Sequence, residues 1–254
     1  MAEYPFRGQT EGVFFELGVP DKHARVHDAV VYCPGLPSSP HYPRLLKQLQ
    51  ARGYVGVALR YRGTWESAGR FLERTPVADV QAVLRMLRRG GFTELFGGTR
   101  VRLNVRNIFL VGSSFGGLVA LQALKKPAIK VKKAVLLAPV ISFAALGGPE
   151  SHEAHARVLV RAWPNAYRFN SSSYGRLVRD ELIGDGMARL RALAGKQLLI
   201  FHSRNDPVVS IAQSRRFVRA AQDAGITTAL QELRQGHSIR LRAPQVEKVC
   251  RFFR

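Results

Sequence analysis

Between Asn107 and Leu124 an apolar run, NIFLVG, passes into a helical run, FGGLVALQAL, with only two serines between them. A strand that becomes a helix this abruptly must cross back over its own sheet. That commits the chain to strand–helix–strand units and a mostly parallel sheet. Further near-continuous apolar runs occur at AVVYC (29–33), YVGVALR (54–60), KAVLLAP (133–139), KQLLIFHS (196–203) and TALQEL (228–233). They lack polar alternation, as expected of strands covered on both faces. Helical periodicity over 41–53, 76–90, 211–225 and 244–253 supplies the covers. EGVFFELGV (11–19) is expected as an antiparallel edge strand, and 254 residues suit one large core.

The stretch 141–194 breaks this rhythm and is longer than one crossover requires. It is expected to form a small helical cap or lid; an irregular connection with one helix is the plainer alternative.

Gly112-Ser113-Ser114-Phe115-Gly116 fits G-x-S-x-G, placed between strand and helix. On such a turn the glycines remove side chains that would collide. The hydroxyl of Ser114 is then lifted above the sheet edge, in front of a helix N-terminus that favours developing negative charge. A purely structural glycine turn is the alternative, and Ser113 lies one residue off the register.

A serine hydroxyl needs a base to become a nucleophile. LLIFHSRNDPVV (198–209) places Asp206 just beyond a late strand, and LQELRQGHSIRL (230–241) places His237 just beyond the last one. Asp206 is expected to orient His237, with a helix-capping role as its alternative. His202, at a strand end, is expected to pack or to support the site. His152 and His155, with Glu150 and Glu153 nearby, hint at a metal, but no second ligand cluster has zinc-like spacing, and a solvated cap surface is preferred. No metal or other cofactor is expected. For the oxyanion, the backbone N–H groups of Phe115 and of Leu36, in the loop CPGLPSSPHYP (33–43), are the candidates.

With these segments in place the chain resembles the α/β-hydrolase superfamily, in the branch similar to dienelactone hydrolase and prolyl oligopeptidase. The resemblance runs from about residue 11 to the end and rests on YCPGLPSS (32–39), LRYRGTWESAGRF (59–71), GSSFGG (112–117), SRNDPVV (203–209) and GHS (236–238). Where the family has His-Gly in its early loop, this chain has Pro34-Gly35. The resemblance implies a mostly parallel sheet of about eight strands with helices on both faces. It places the nucleophile on Ser114, the acid on Asp206 and the base on His237.

A serine hydrolase cleaving carboxylic esters through an acyl-enzyme follows as the leading expectation. The alternatives are a small peptidase or acylaminoacyl hydrolase, and a non-catalytic scaffold on the same fold. Arg62, Trp65, Phe143 and Trp163 are candidate substrate contacts, and Arg60, Arg62 and Arg70 would suit an anionic substrate unless Glu66 and Glu73 neutralise them. The partner expected is a small ester or a short acyl or peptide substrate, with a homo-oligomer compatible with the sequence.

Net charge is +21, from 39 Lys and Arg against 18 Asp and Glu. Such a field attracts anions. The basic residues are scattered, however, and the densest group, KKPAIKVKK (125–133), reads as a solvated loop, so no specific nucleic-acid partner is expected. No apolar run reaches the roughly 18 residues of a membrane span, and the first ten residues carry no signal-like apolar segment. With two cysteines, Cys33 and Cys250, read as buried thiols, a cytoplasmic location is expected.

Overall fold

The computed structural model describes residues 5–20, 26–128, 130–147 and 149–254, with only the backbone at 149–151. Ten strands fall into two sheets. β1 (Phe6–Thr10), β2 (Val13–Gly18), β3 (His27–Cys33), β4 (Tyr54–Leu59), β7 (Val105–Ser113), β8 (Lys133–Leu137), β9 (Gln197–Ser203) and β10 (Thr227–Leu233) form the large sheet. Its order is β1-β2-β4-β3-β7-β8-β9-β10. The pairs β1/β2 and β2/β4 are antiparallel; every pair from β4 to β10 is parallel. β5 (Gly91–Thr93) and β6 (Arg100–Arg102) make a separate antiparallel pair.

The strand interiors serve two cores at once. Ala29, Val31, Leu110, Ala134, Leu136, Leu198 and Ile200 face one side, where α2 (Val77–Arg88), α3 (Phe115–Leu124) and α6 (Ile211–Asp223) pack. Val30, Phe109, Val111, Val135, Leu199 and Phe201 face the other, under α1 (Arg44–Gln50) and α7 (Ala243–Phe253). Period-two alternation with both faces apolar produces the continuous hydrophobic runs seen in the sequence. α3 is apolar all round because it is buried all round: Leu118, Val119, Ala120, Leu121 and Ala123 are each 0% exposed.

Three expectations need correction. β2 is not the edge strand, because β1 pairs on its outer side. The helix expected over 41–53 begins only at Arg44, since Pro43 keeps the preceding Tyr42 out of the helical region and is itself extended as the N-cap. Within the basic run 125–133, Lys125 is not solvated: its ammonium is buried and donates to the carbonyls of Gly186 (2.8 Å) and Ala188 (2.6 Å). Burial lowers it to about 8, against a smaller opposing effect of Asp185.

Among the described residues, 141–194 contain no strand. They hold a short 3-10 turn (Ala144–Leu146), α4 (Pro149–Ala162), α5 (Ser171–Val178) and a second 3-10 turn (Leu190–Leu193). The segment is tied down at several places, among them the following two. Ala166, Tyr167 and Arg168 run beside Gly63–Trp65, with Trp65 N–H donating to Ala166 O and Arg168 N–H to Gly63 O, both at 2.8 Å. At the other end Gln122 Nε2, on α3, donates to the carbonyls of Gly184 and Asp185, each at 2.9 Å. Among the described residues no helix is long and apolar enough to cross a membrane.

Candidate active site

Ser114 follows the last residue of β7 and is the N-cap of α3, with φ 52° and ψ −119°. An L-residue rarely takes this conformation, and holding it there costs about 1–3 kcal/mol. The surrounding backbone enforces it: Ser114 N–H donates to Leu137 O (2.9 Å), while Ser114 O accepts from Gly117 N–H (2.8 Å) and Val140 N–H (3.0 Å). A Cβ at Gly112 would lie 2.3 Å from Gly116 O, one at Gly116 would lie 2.0 Å from Cys33 O, and one at Gly117 would lie 2.5 Å from Pro139 Cβ. The glycines of the motif are thus demanded by close approach of backbone and neighbouring side chains.

The strand ends bring the partners in. His237 Nε2 lies 2.9 Å from Ser114 Oγ, and its Nδ1 lies 2.8 Å from Asp206 Oδ2 and 3.0 Å from Oδ1. The carboxylate of Asp206 is 0% exposed, the His237 ring 23%. Burial alone would raise the Asp206 pKa. Hydrogen bonds from Val209 N–H, His237 and Val208 N–H outweigh it and hold the carboxyl below its usual range. Asp206 therefore remains ionised and fixes Nδ1–H on the histidine, leaving Nε2 as the acceptor facing the serine.

His202 supports this carboxylate, as its strand-end position suggested. Its ring is 0% exposed, with Nε2 2.9 Å from Val209 O and 3.2 Å from Asp206 Oδ2, and Nδ1 2.7 Å from Ser214 Oγ. A carbonyl can only accept, so Nε2 carries the proton and Nδ1 accepts from the Ser214 hydroxyl. Burial lowers the His202 pKa and favours this neutral form, despite the opposing pull of the Val209 carbonyl and Asp206. A connection invisible in the sequence is made by Ser203: its hydroxyl donates to Gln235 O and accepts from Gln235 N–H at 2.9 Å, pinning the loop that carries His237 to the end of β9.

The other candidates divide. Phe143 is 2% exposed and stands between the nucleophile turn and α4, its ring 6.1 Å from that of Phe115 and 5.8 Å from that of His152. Trp65 Nε1 donates to Ser38 O (2.9 Å), and the rings of Trp65 and Trp163 each lie 6.3 Å from Tyr167. Tyr167 Oη in turn accepts from Ser38 N–H at 2.7 Å, so this aromatic set braces the 33–43 loop. For Arg60 and Arg62 the neutralising alternative holds, with Glu66 among the partners, while Arg70 has no ion-pair partner among the described residues. Arg60 pairs with Glu16 (3.2 Å) and Glu66, and Arg62 with Asp79 and the carbonyl of Glu11. Within the described residues no group of three or more His, Cys, Asp or Glu could hold a metal ion. The side chain of Glu150 and residues 1–4, both weighed in the sequence, lie outside the described residues.

A strained serine turn at the end of a central parallel strand, facing a histidine and a buried aspartate from the next strand ends, is the Ser-His-Asp arrangement of a serine hydrolase. The alpha/beta hydrolase family pattern matches residues 30–246, and the chain belongs to that family. Among solved structures it is similar to Est1E from Butyrivibrio proteoclasticus with ferulic acid bound, at 17% identity, TM-score 0.69 and 97% coverage of both chains. It is also similar to the esterase Pf2001 of Pyrococcus furiosus, at 18% identity and TM-score 0.67, covering 99% of this chain and 89% of that one. A puromycin-hydrolyzing peptidase of Mycobacterium tuberculosis shares 19% identity at TM-score 0.68 over 96% of this chain but only 37% of its own. No curated protein matches the chain.

Proposed function

We propose that the protein hydrolyses carboxylic esters of small molecules through an acyl-enzyme on Ser114. The observation that carries this is the unbroken relay from Ser114 Oγ through His237 to the buried, ionised Asp206. Ser114 Oγ attacks the acyl carbon as His237 Nε2 takes its proton. The oxyanion is received by the N–H groups of Phe115 and Leu36. Neither donates to a backbone carbonyl among the described residues, and Gly35, beside Leu36, is close enough that an added Cβ would sit 3.5 Å from Ser114 Cβ. Collapse returns the proton from His237 to the departing alkoxide. Water then repeats the sequence and releases the acid.

Residues 141–194 act as the cap. The cavity of about 610 Å³ between α4 and α5, lined by Ala156, Val160, Phe169 and Tyr174 as well as Glu153, Arg157 and Arg161, lies beyond Phe143, whose buried ring stands between it and the turn at Phe115. Its size lies within the ordinary range for small-molecule sites. The two unbridged, buried cysteines suit a reducing compartment such as the cytoplasm.

A fluorophosphonate probe tests the reading. Covalent labelling of the parent and of Ser113→Ala, with none of Ser114→Ala, is expected, followed by faster turnover of p-nitrophenyl esters than of the matching anilides. An unlabelled parent that is folded by circular dichroism would remove the enzyme reading and leave a scaffold.

A further inference from the structure

The charge of +21 has no part in the triad chemistry, and six of the basic residues gather at the end of the sheet away from Ser114. A cavity of about 260 Å³ opens at the N-terminal ends of β7 and β8, lined by Arg88, Arg106, Lys130, Lys132, Lys133 and Arg254 over a floor that includes Ile108, Phe109 and Phe253. Four elements deliver these cations: the last turn of α2, the start of β7, the start of β8 with the residues leading into it, and the end of α7. Helix C-termini favour cations, which accounts for Arg88 and Arg254 individually but not for the convergence of four elements. The floor is fixed by the stacked rings of Phe109 and Phe253, 4.3 Å apart, and the wall by Lys133 Nζ donating to Phe252 O at 2.8 Å.

Compensation is sparse. Arg106 is paired with Asp28 at 3.0 Å. Arg88, Lys130, Lys132 and Lys133 have no carboxylate within ion-pair distance among the described residues. Lys196 adds a fifth positive charge nearby: it donates to Val131 O at 2.6 Å, and burial, then repulsion from Lys132, lowers its pKa. Like charges held this close repel unless an anion joins them. A concave site with several point charges suits a compact anion carrying several charges of its own, and lysine and arginine both pair well with phosphate oxygens.

We propose that this cavity is a binding site for an oligophosphate group, separate from the active site. β7 runs from the cavity to Ser114, so the two are roughly 25 Å apart along the strand. The site is compact and concave, which favours a short oligophosphate over an extended nucleic-acid strand.

Inorganic tripolyphosphate, titrated calorimetrically into the full chain, is expected to bind one per protein, and more weakly as salt rises. Arg88→Ala/Lys132→Ala removes two exposed cations and should weaken binding at least about tenfold. Arg216→Ala/Arg219→Ala removes the same charge from the exposed face of α6 and should leave binding unchanged. Ester hydrolysis and the circular dichroism spectrum should persist in both variants, which keeps a folding defect from imitating the result. Equal losses in the two variants, or uptake without a defined stoichiometry, would reduce the effect to diffuse electrostatics and overturn the site. Oligonucleotide binding that tripolyphosphate does not displace would overturn it in favour of a nucleic-acid surface.

Discussion

The nucleophile turn at 112–117 and the helical pair α4–α5 lie close together, yet they are held by opposite means. At the turn, backbone lies against backbone, three glycines have no room for a methyl group, and Ser114 is forced to a positive φ. Around α4 and α5, side chains make the contacts: His155 Nδ1 lies 2.6 Å from Tyr174 Oη, Phe143 packs on His152, and a cavity of about 610 Å³ remains between the helices. The first region can satisfy its geometry in only one way. The second has interior space and adjustable contacts, and can satisfy its geometry in more than one way.

This contrast can be tested in order of expected effect. Asp206→Asn should lower kcat for an ester by about four orders of magnitude while the protein stays folded, because the amide no longer holds the Nδ1–H tautomer. A loss below tenfold would detach the relay from catalysis. Gly116→Ala should destabilise the fold by about 4 kcal/mol or more, since the methyl group must displace the backbone carbonyl of Cys33. In a chain this long that corresponds to at least about 8 °C in Tm, readable by calorimetry. A variant melting with the parent would mean that the turn has slack.

The pH response separates the regions further. Burial, then the neighbouring His152, lowers the pKa of His155, so the unfolded chain takes up this proton first as the solution is acidified. The contact of His155 with Tyr174 therefore contributes fully above about pH 6.5 and loses ground as pH falls below it. Proteolytic cutting within α4–α5 should accelerate on going from pH 7 to 5 in the parent and much less in His155→Gln. His202 imposes the same sign on the sheet, so global melting should still respond to pH in that variant. The smallest effect is expected at Gly175→Ala in α5. There the new Cβ meets only the flexible tip of Arg179 at 3.2 Å, and helix propensity should raise stability by up to about 1 kcal/mol. A loss there would show α5 to be as tightly fitted as the turn.

The same contrast explains what could be read in the sequence. The parallel strands were legible because both their faces are buried, and Ser114, Asp206 and His237 because each stands just beyond such a strand. β1 was not, since FRGQT buries only Gly8 and carries no apolar pattern. β5 and β6 are three residues each, too short for periodicity to register. The inward pairing of Arg62 with Asp79, seventeen positions away, depends on how the turn after β4 meets the first turn of α2, and no local pattern encodes it. The hold of Ser203 on Gln235, and of Tyr167 on Ser38, likewise exists only after the sheet has formed.

The order of strands also has a kinetic consequence. Ser114 ends a strand with neighbours on both sides, Asp206 follows the second strand from the border, and His237 follows β10, which borders solvent. Border strands open more readily than central ones. Mild heat should therefore release the base first and silence the enzyme while the serine turn and most slowly exchanging amides remain intact. Cooling at that stage would restore activity without refolding the chain, so early thermal inactivation should be reversible and precede the main calorimetric transition.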